Sequence, residues 1–304
     1  MNFIVNFLVK LSFLISLIPF QVSEEIFDRY HIRVNPQVQD SLYTGPVQKG
    51  LVQDKAINEA SGLSKSQLDP GVLYTHNDSG GDPVIYRMDT TGKKLNPIYL
   101  KGVKNRDWED MAIGPGPKKG KSYVYVGEIG DNKAQYPSIQ LLRFEEPKGK
   151  NKHEIKPQVI NLKYPDGPRD AETLLVDPLG GDVFILSKRD SSNTLYKAPA
   201  SKLSDSEIVL EKVMKLPVTM SVGGDISVDG SKILIKNYWA VYYWERKPGE
   251  SIPEALSRIP VQLPYSPEPQ GEAISFSGDG LSYFTLSEKR YGVEPVLYRY
   301  YKKE

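Results

Sequence analysis

The sequence predicts an all-β chain folded as a five-bladed β-propeller, and three observations predict it. Short apolar runs recur along the chain, separated by Gly, Pro, Asp and Asn, and no convincing helical period interrupts them. Five segments of the chain resemble one another. The fifth segment ends one strand short, and the stretch ahead of the first can supply the missing strand.

Each segment opens with a small or acidic cluster on a short apolar strand: ASGLS at 60–64, WEDMA at 108–112, AETLL at 171–175, GDISV at 224–228 and GEAIS at 271–275. A second strand follows and ends in polar residues: LYTHNDSG, VYVGEIGDN, VFILSKRD, ILIKNY and YFTLSEK. Third strands are VIYRMD, IQLLRFEEP, TLYKAP, VYYWER and VLYRYY. Fourth strands come from LNPIYLKGV, QVINLKYP, EIVLEKVMKLP and SRIPVQLPY. The last segment lacks a fourth, and LVQDKAINE at 51–59 is expected to fill it, joining the two ends of the chain in one blade so that no sheet edge stays open at the seam. About 56 residues per blade then remain, which leaves room for generous loops. A six-bladed ring with a degenerate blade near 200–222 is the alternative.

The 304 residues carry 39 Lys and Arg against 38 Asp and Glu, a balance that argues against a broad basic face for nucleic acid. Cysteine is absent, which excludes disulfides, a thiol nucleophile and a thiolate zinc site. Only His31, His76 and His153 are present, too few for a multi-histidine metal site. At the start of the chain, MNFIVNFLVKLSFLISLIPF contains an apolar run, 11–20, of the length of a signal-peptide core and short for a membrane span. The expected organisation is a signal peptide over 1–23, a polar lead-in over 24–50 and one propeller domain over 51–304. The mature protein is then exported, periplasmic or secreted, with no membrane span. An uncleaved N-terminal anchor is the alternative. Oligomeric state is not legible in the sequence.

In a propeller the first strand of each blade lines the central channel. The aligned column therefore places Ser61, Glu109, Glu172, Asp225 and Glu272 around one axis. Like charges so close raise one another's pKa unless something neutralises them. A hard cation with several oxygen ligands does so, and Ca²⁺, with six to eight oxygens in flexible geometry, suits a ring better than Mg²⁺. The competing reading is that the acids bond to nearby amides and basic side chains. Glu59, Asp107 and Asp170, two residues ahead of the column, and Asp110, just after Glu109, are outer groups or ligands at the channel mouth, or else turn and capping residues.

The second strands end in another polar set, expected around one mouth of the channel. Asn77, Asn132, Lys188, Arg189, Lys236, Asn237 and Lys289 are its candidate substrate-binding residues, and a small anionic ligand bridged to the cation fits their charge. His76, Asp78 and Asp131 are candidate bases, His76 because its ordinary pKa lies near neutrality. The alternative is that the bases pair with the acids. No GxSxG elbow is present, and GPGPKKGK at 114–121 lacks the GK[ST] of a phosphate loop. The aromatic run NYWAVYYW at 237–244 is expected to pack between blades.

The motifs THNDSGG, DWEDMA, GEIGDN, DGPRDAE, LSKR and PQGEA resemble a largely uncharacterised family of exported bacterial propellers, over nearly the whole mature chain. Such proteins are loosely grouped with phytase-like or esterase-like propellers, a fold-level association. A more distant likeness is to calcium-activated nucleotidases, five-bladed propellers with a central Ca²⁺ held by Ser and Glu. Ser61, Glu109, Glu172 and Glu272 match that pattern, and Asp225 stands where a serine is expected. Six-bladed lactonases also use a central Ca²⁺ with Glu, Asn and Asp, a style that Asn77, Asn132, Asn237 and Asp225 would suit. The resemblance implies a Ca²⁺-dependent hydrolase of phosphoester or phosphoanhydride substrates, a lactonase or esterase, or a non-enzymatic binding propeller with a structural ion.

Overall fold

The computed structural model describes residues 37–38 and 42–304. The expected signal peptide and much of the lead-in lie outside the described residues. The fold is a five-bladed β-propeller. From the axis outwards, blade 1 is Ala60–Lys65, Val72–Asn77, Val84–Asp89 and Lys94–Leu100. Blade 2 is Trp108–Pro115, Ser122–Glu128, Ile139–Glu145 and Gln158–Lys163. Blade 3 is Ala171–Val176, Val183–Ser187, Thr194–Ala198 and Glu211–Lys215. Blade 4 is Ser221–Ile226, Lys232–Asn237, Val241–Glu245 and Val261–Leu263. Blade 5 takes Ala273–Phe276, Ser282–Leu286 and Val296–Tyr301 from the end of the chain and Val47–Leu51 from its start. Within each blade these four strands are antiparallel neighbours. Each inner strand touches the inner strand of the next blade, and the fifth touches the first.

Burial explains the strand sequences. Val72–Asn77, Ser122–Glu128 and Val183–Ser187 are buried at every position, because a neighbouring blade covers each face. They therefore read as continuous apolar runs rather than alternating ones. Outer strands such as Lys94–Leu100 keep exposed positions between buried ones. Among the described residues the apolar core is not one cluster but five, one in each seam between blades. Leu175, Phe184, Tyr242 and Trp244 meet between blades 3 and 4, and Tyr243, Phe276, Tyr283 and Tyr300 between blades 4 and 5. Of the aromatic run at 237–244, Tyr242, Tyr243 and Trp244 thus divide between two seams, whereas Tyr238 does not pack between blades but bonds to Glu272 and Lys188.

Two features were not legible in the sequence. Three blades gain a fifth, parallel strand: His153–Ile155 on blade 1, Glu207–Val209 on blade 2 and Gln37–Val38 on blade 4. These additions cover sheet edges that would otherwise offer unpaired backbone groups. The closing strand also differs from the expected 51–59. It is Val47–Leu51, and the following residues turn inward instead, with Val52 and Ile57 buried in the seam between blades 5 and 1. The backbone N–H of Ile57 donates to the Asp54 carbonyl, which makes a turn where a strand was expected.

The closure has a direct test in a chain without cysteine. Gln48 lies opposite Tyr298. A Gln48→Cys, Tyr298→Cys double variant should form one intramolecular disulfide on oxidation and gain about 2–4 kcal/mol of stability. Asp54→Cys paired with Tyr298→Cys should not cross-link. Equal cross-linking of the two pairs, read by mass spectrometry, would contradict this register.

Candidate metal centre

A β-bulge opens the inner strands of blades 1 to 4. The pairing skips residues between Trp108 and Asp110, Ala171 and Thr173, Ser221 and Gly223, and Ala60 and Leu63. A bulged residue leaves the ladder and is re-aimed, here at the end of the channel. In blades 2 and 3 the bulged residues are Glu109 and Glu172, and in blade 1 the bulge contains Ser61. Blade 5 has Glu272 in the equivalent place, just ahead of Ala273, which faces Leu286 as Thr173 faces Leu186. Blade 4 puts Val222 there, not Asp225. Matching Gly224-Asp225 to Gly271-Glu272 slipped the alignment by three residues. Asp225 instead faces blade 5, where its carboxylate accepts from the Phe276 N–H at 2.7 Å and the Ser275 hydroxyl at 3.0 Å.

The other four residues of the column come together. Ser61 Oγ lies 2.5 Å from the Glu109 carbonyl and 3.2 Å from Glu272 Oε2. The gap left by Val222 is filled from the second-strand end of its own blade: Tyr238 Oη donates to Glu272 Oε1 at 2.7 Å. Lys188 Nζ donates to Tyr238 Oη at 3.0 Å and pairs with Glu172 Oε1. Asp78, Asp107 and Glu109 bring carboxylate oxygens within 4.8 Å of one another, and so do Glu109, Asp170 and Glu172. Gly130 makes this approach possible, since a Cβ there would sit 2.1 Å from Glu109 Oε1 and 2.5 Å from the Asp107 carboxyl.

Burial, then the neighbouring carboxylates, lifts Glu109 well above the usual carboxylate range. Burial lifts Glu172 likewise, although Lys188 pulls it down. Burial, with Glu272 and Asp107 beside it, pushes Asp78 up to about 7. For Lys188, burial acts downward, but Glu172 and Glu272 hold it above its ordinary value. Three oxygens in this group, Glu172 Oε2, Asp78 Oδ1 and Asp170 Oδ2, are buried with no hydrogen bond, and of these only Asp170 Oδ2 has an ion-pair partner, Arg189. Oxygen donors, negative charge and orphaned lone pairs are what a hard divalent cation uses.

The remaining candidates divide. Arg189 stays at the mouth, its Nε 2.6 Å from Asp170 Oδ2 and its guanidinium on Asn132. Asp131 supports a loop: its carboxylate accepts from the N–H groups of Gln135 at 2.9 Å and Tyr136 at 2.8 Å. Asn77 accepts from the N–H groups of Asn58 and Glu59, and Asn237 from those of Trp239 and Ala240, so both fix turns. His76 is fully buried, edge-on to Trp108, with Nδ1 3.0 Å from the Asn77 carbonyl. Burial lowers it to about 4, so it is neutral and shielded rather than a base at the mouth. Lys236 is also fully buried, 4.5 Å from the Tyr265 ring centroid, and donates to the Gly271 carbonyl. Lys289 pairs with Glu294 at 2.6 Å. The expected basic mouth therefore reduces to Lys188 and Arg189, each already paired to an acid. Tyr238 was missed. Its only sequence signal is that it follows the polar Lys236-Asn237 strand end.

Five sheets around a closed axis, with carboxylates gathered at one mouth, define a β-propeller with a candidate cation site. No protein-family model matches the chain, and no curated protein matches its sequence. Among solved structures it is similar to a luciferin-regenerating enzyme, with TM-score 0.45 and 12% identity over 84% of this chain and 95% of that one. It is also similar to the Neurospora crassa Pan2 WD40 domain, with TM-score 0.45 and 10% identity over 88% and 98%. A chain of a nidogen/laminin complex gives TM-score 0.43 and 11% identity over 76% and 73%. Likeness at this level carries nothing about activity.

The raised carboxylates set the sign of a pH dependence. The folded chain binds their protons more tightly than the unfolded chain, so stability is lost as pH rises through the folded values. Asp78, Asp225 and Glu288 all lie at about 7. In chelator, the melting temperature should therefore be higher at pH 6 than at pH 8, and added Ca²⁺ should reduce the difference. A chelated protein that melts higher at pH 8 would contradict the assignment.

Proposed function

We propose that this protein is an exported propeller whose channel mouth binds a divalent, oxygen-ligated cation, calcium being the best match, and that it hydrolyses a small uncharged ester or lactone there. The observation that carries the cation reading is Glu172 Oε2, which is buried without a partner beside Glu109 and Asp170. Bound calcium would supply Lewis acidity at a carbonyl oxygen. Glu109, Glu172, Asp107 and Asp170 would hold it, with Glu272 kept in place by Ser61 and Tyr238. Asp78 stands beside this set with an orphaned oxygen, placed to take and return a proton. An uncharged substrate is preferred to a phosphoester because Lys188 and Arg189 are already paired with Glu172 and Asp170. The expected export signal lies outside the described residues. Among the described residues no helix is long and apolar enough to cross a membrane.

Those same ion pairs favour a second reading, a non-enzymatic propeller with a structural ion. One set of assays separates the readings. Ca²⁺ should raise the melting temperature of metal-free protein, because a ligand that binds only the folded state stabilises it. Aryl esters and lactones should be hydrolysed with Ca²⁺ and not with chelator, and Asp78→Asn should lower turnover roughly 10²-fold or more. Phosphate release from nucleotides or phytate would instead restore the phosphoester reading. Calcium stabilisation with no turnover on any of these substrates would leave the ion a structural role.

A further inference from the structure

The carboxylates at the mouth form two groups, not one. Asp78, Asp107 and Glu109 make the first, Glu109, Asp170 and Glu172 the second, and Glu109 belongs to both. We propose that the mouth binds two divalent cations, one in each group, with the Glu109 carboxylate bridging them. The inference rests on the reading that this mouth takes up divalent cations at all, and goes beyond it in number and arrangement.

Geometry supports a shared ligand. Glu109 is 2% exposed and stands on the bulge between the two groups. Gly130 leaves clear the space beside both Glu109 Oε1 and the Asp107 carboxyl. Each group also has an oxygen that no protein donor satisfies. In the second it is Oε2 of Glu172, a residue only 4% exposed whose other oxygen is taken by Lys188. In the first it is Asp78 Oδ1, which would meet the ion and leave the proton transfer proposed for Asp78 to its other carboxylate oxygen.

Charge supports the number. Asp78, Asp107, Glu109, Asp170, Glu172 and Glu272 gather six acids, against which Lys188 and Arg189 set two bases. Of the other acids nearby, Glu128 has Arg106 at 3.7 Å, Glu288 has Arg290 at 2.7 Å with Glu59 beside them, and the Asp131 carboxylate accepts from two backbone N–H groups. Fully ionised, the centre therefore lacks four positive charges. One divalent ion supplies half of that, and two supply all of it. With both bound, the mouth is close to neutral, which suits an uncharged substrate.

The test is stoichiometry on the full mature chain. Metal-free protein titrated with CaCl₂ by calorimetry, and metal content after desalting, should give about two Ca²⁺ per chain. Asp78→Asn and Glu172→Gln should each keep one ion, and Glu109→Gln should lose both or weaken both more than 10-fold. If Glu109→Gln does not fold, judged by its circular dichroism, the two outer variants still decide the matter. A single equivalent in the wild type, removed by either outer variant, would overturn the two-ion arrangement and leave the cation reading standing. No binding at all would overturn both.

Discussion

The arrangement at the axis depends on one backbone device, the bulge that opens the inner strands. Regular pairing would alternate side chains between the two seams and send none along the channel. Skipping a residue re-aims Glu109 and Glu172. The five inner strands must then crowd together, and glycine permits it. A Cβ on Gly62 would lie 2.7 Å from the Met111 nitrogen in blade 2, and one on Gly224 would lie 2.8 Å from Leu175 Cδ2 and 3.0 Å from Thr173 Cγ2 in blade 3. Asp110, next to the bulged Glu109, ties the crowded strands together. Its carboxylate accepts from the N–H groups of Met111 in blade 2, Leu174 in blade 3 and Gly224 in blade 4.

Gathering acids in this way is unfavourable in the bare chain, and the molecule offsets only part of it. Lys188 is 5% exposed and pairs with Glu172, which is 4% exposed. Breaking a pair so deeply buried typically costs about 3–5 kcal/mol, mostly because one charge is left without its counter-charge. Tyr238 extends the network by linking Lys188 to Glu272. A fold built only for stability would meet the other acids with bases or replace them with apolar residues, as blade 4 does with Val222. The uncompensated remainder is therefore best understood as a requirement for something positive from outside the chain.

The strands were legible because inter-blade burial leaves its mark as continuous apolar runs, and the ring because those runs repeat. Four members of the column were legible because each stands directly at the start of such a run. Asp225 failed because a Gly-acid dipeptide looks the same whether or not a bulge follows, and only the pairing of Ser221 and Gly223 with blade 4's second strand places Val222. The basic mouth failed for a related reason. A polar residue near a strand end can face the mouth, as Lys188 does, or a seam, as the wholly buried Lys236 does. Strand-end sequence does not distinguish those directions, and the partners that do, Tyr265 and Gly271, lie in a loop between blades. The closing strand was placed late because 51–59 contains buried residues, Val52 and Ile57, whose burial comes from a turn in the seam.

Buried acids alone do not mark a site in this fold, since Asp110 is fully buried and Asp225 partly so. What separates them from Glu172 is who supplies the donors. Asp110 and Asp225 have backbone amides or hydroxyls on both carboxylate oxygens, so their hydrogen bonding is met by the protein. Glu172 has Lys188 on one oxygen and nothing on the other, and Asp78 likewise keeps an orphaned oxygen. Leaving a buried acceptor unmet typically costs about 1–3 kcal/mol, and more for a charged group. The two orphans lie at the same mouth, among acids drawn from blades 1, 2 and 3. Glu146 and Glu268 also keep an orphaned oxygen but stand outside the two acid groups, so it is an unmet oxygen among gathered acids, not burial or charge alone, that divides the acids that hold the ring together from those available to a ligand.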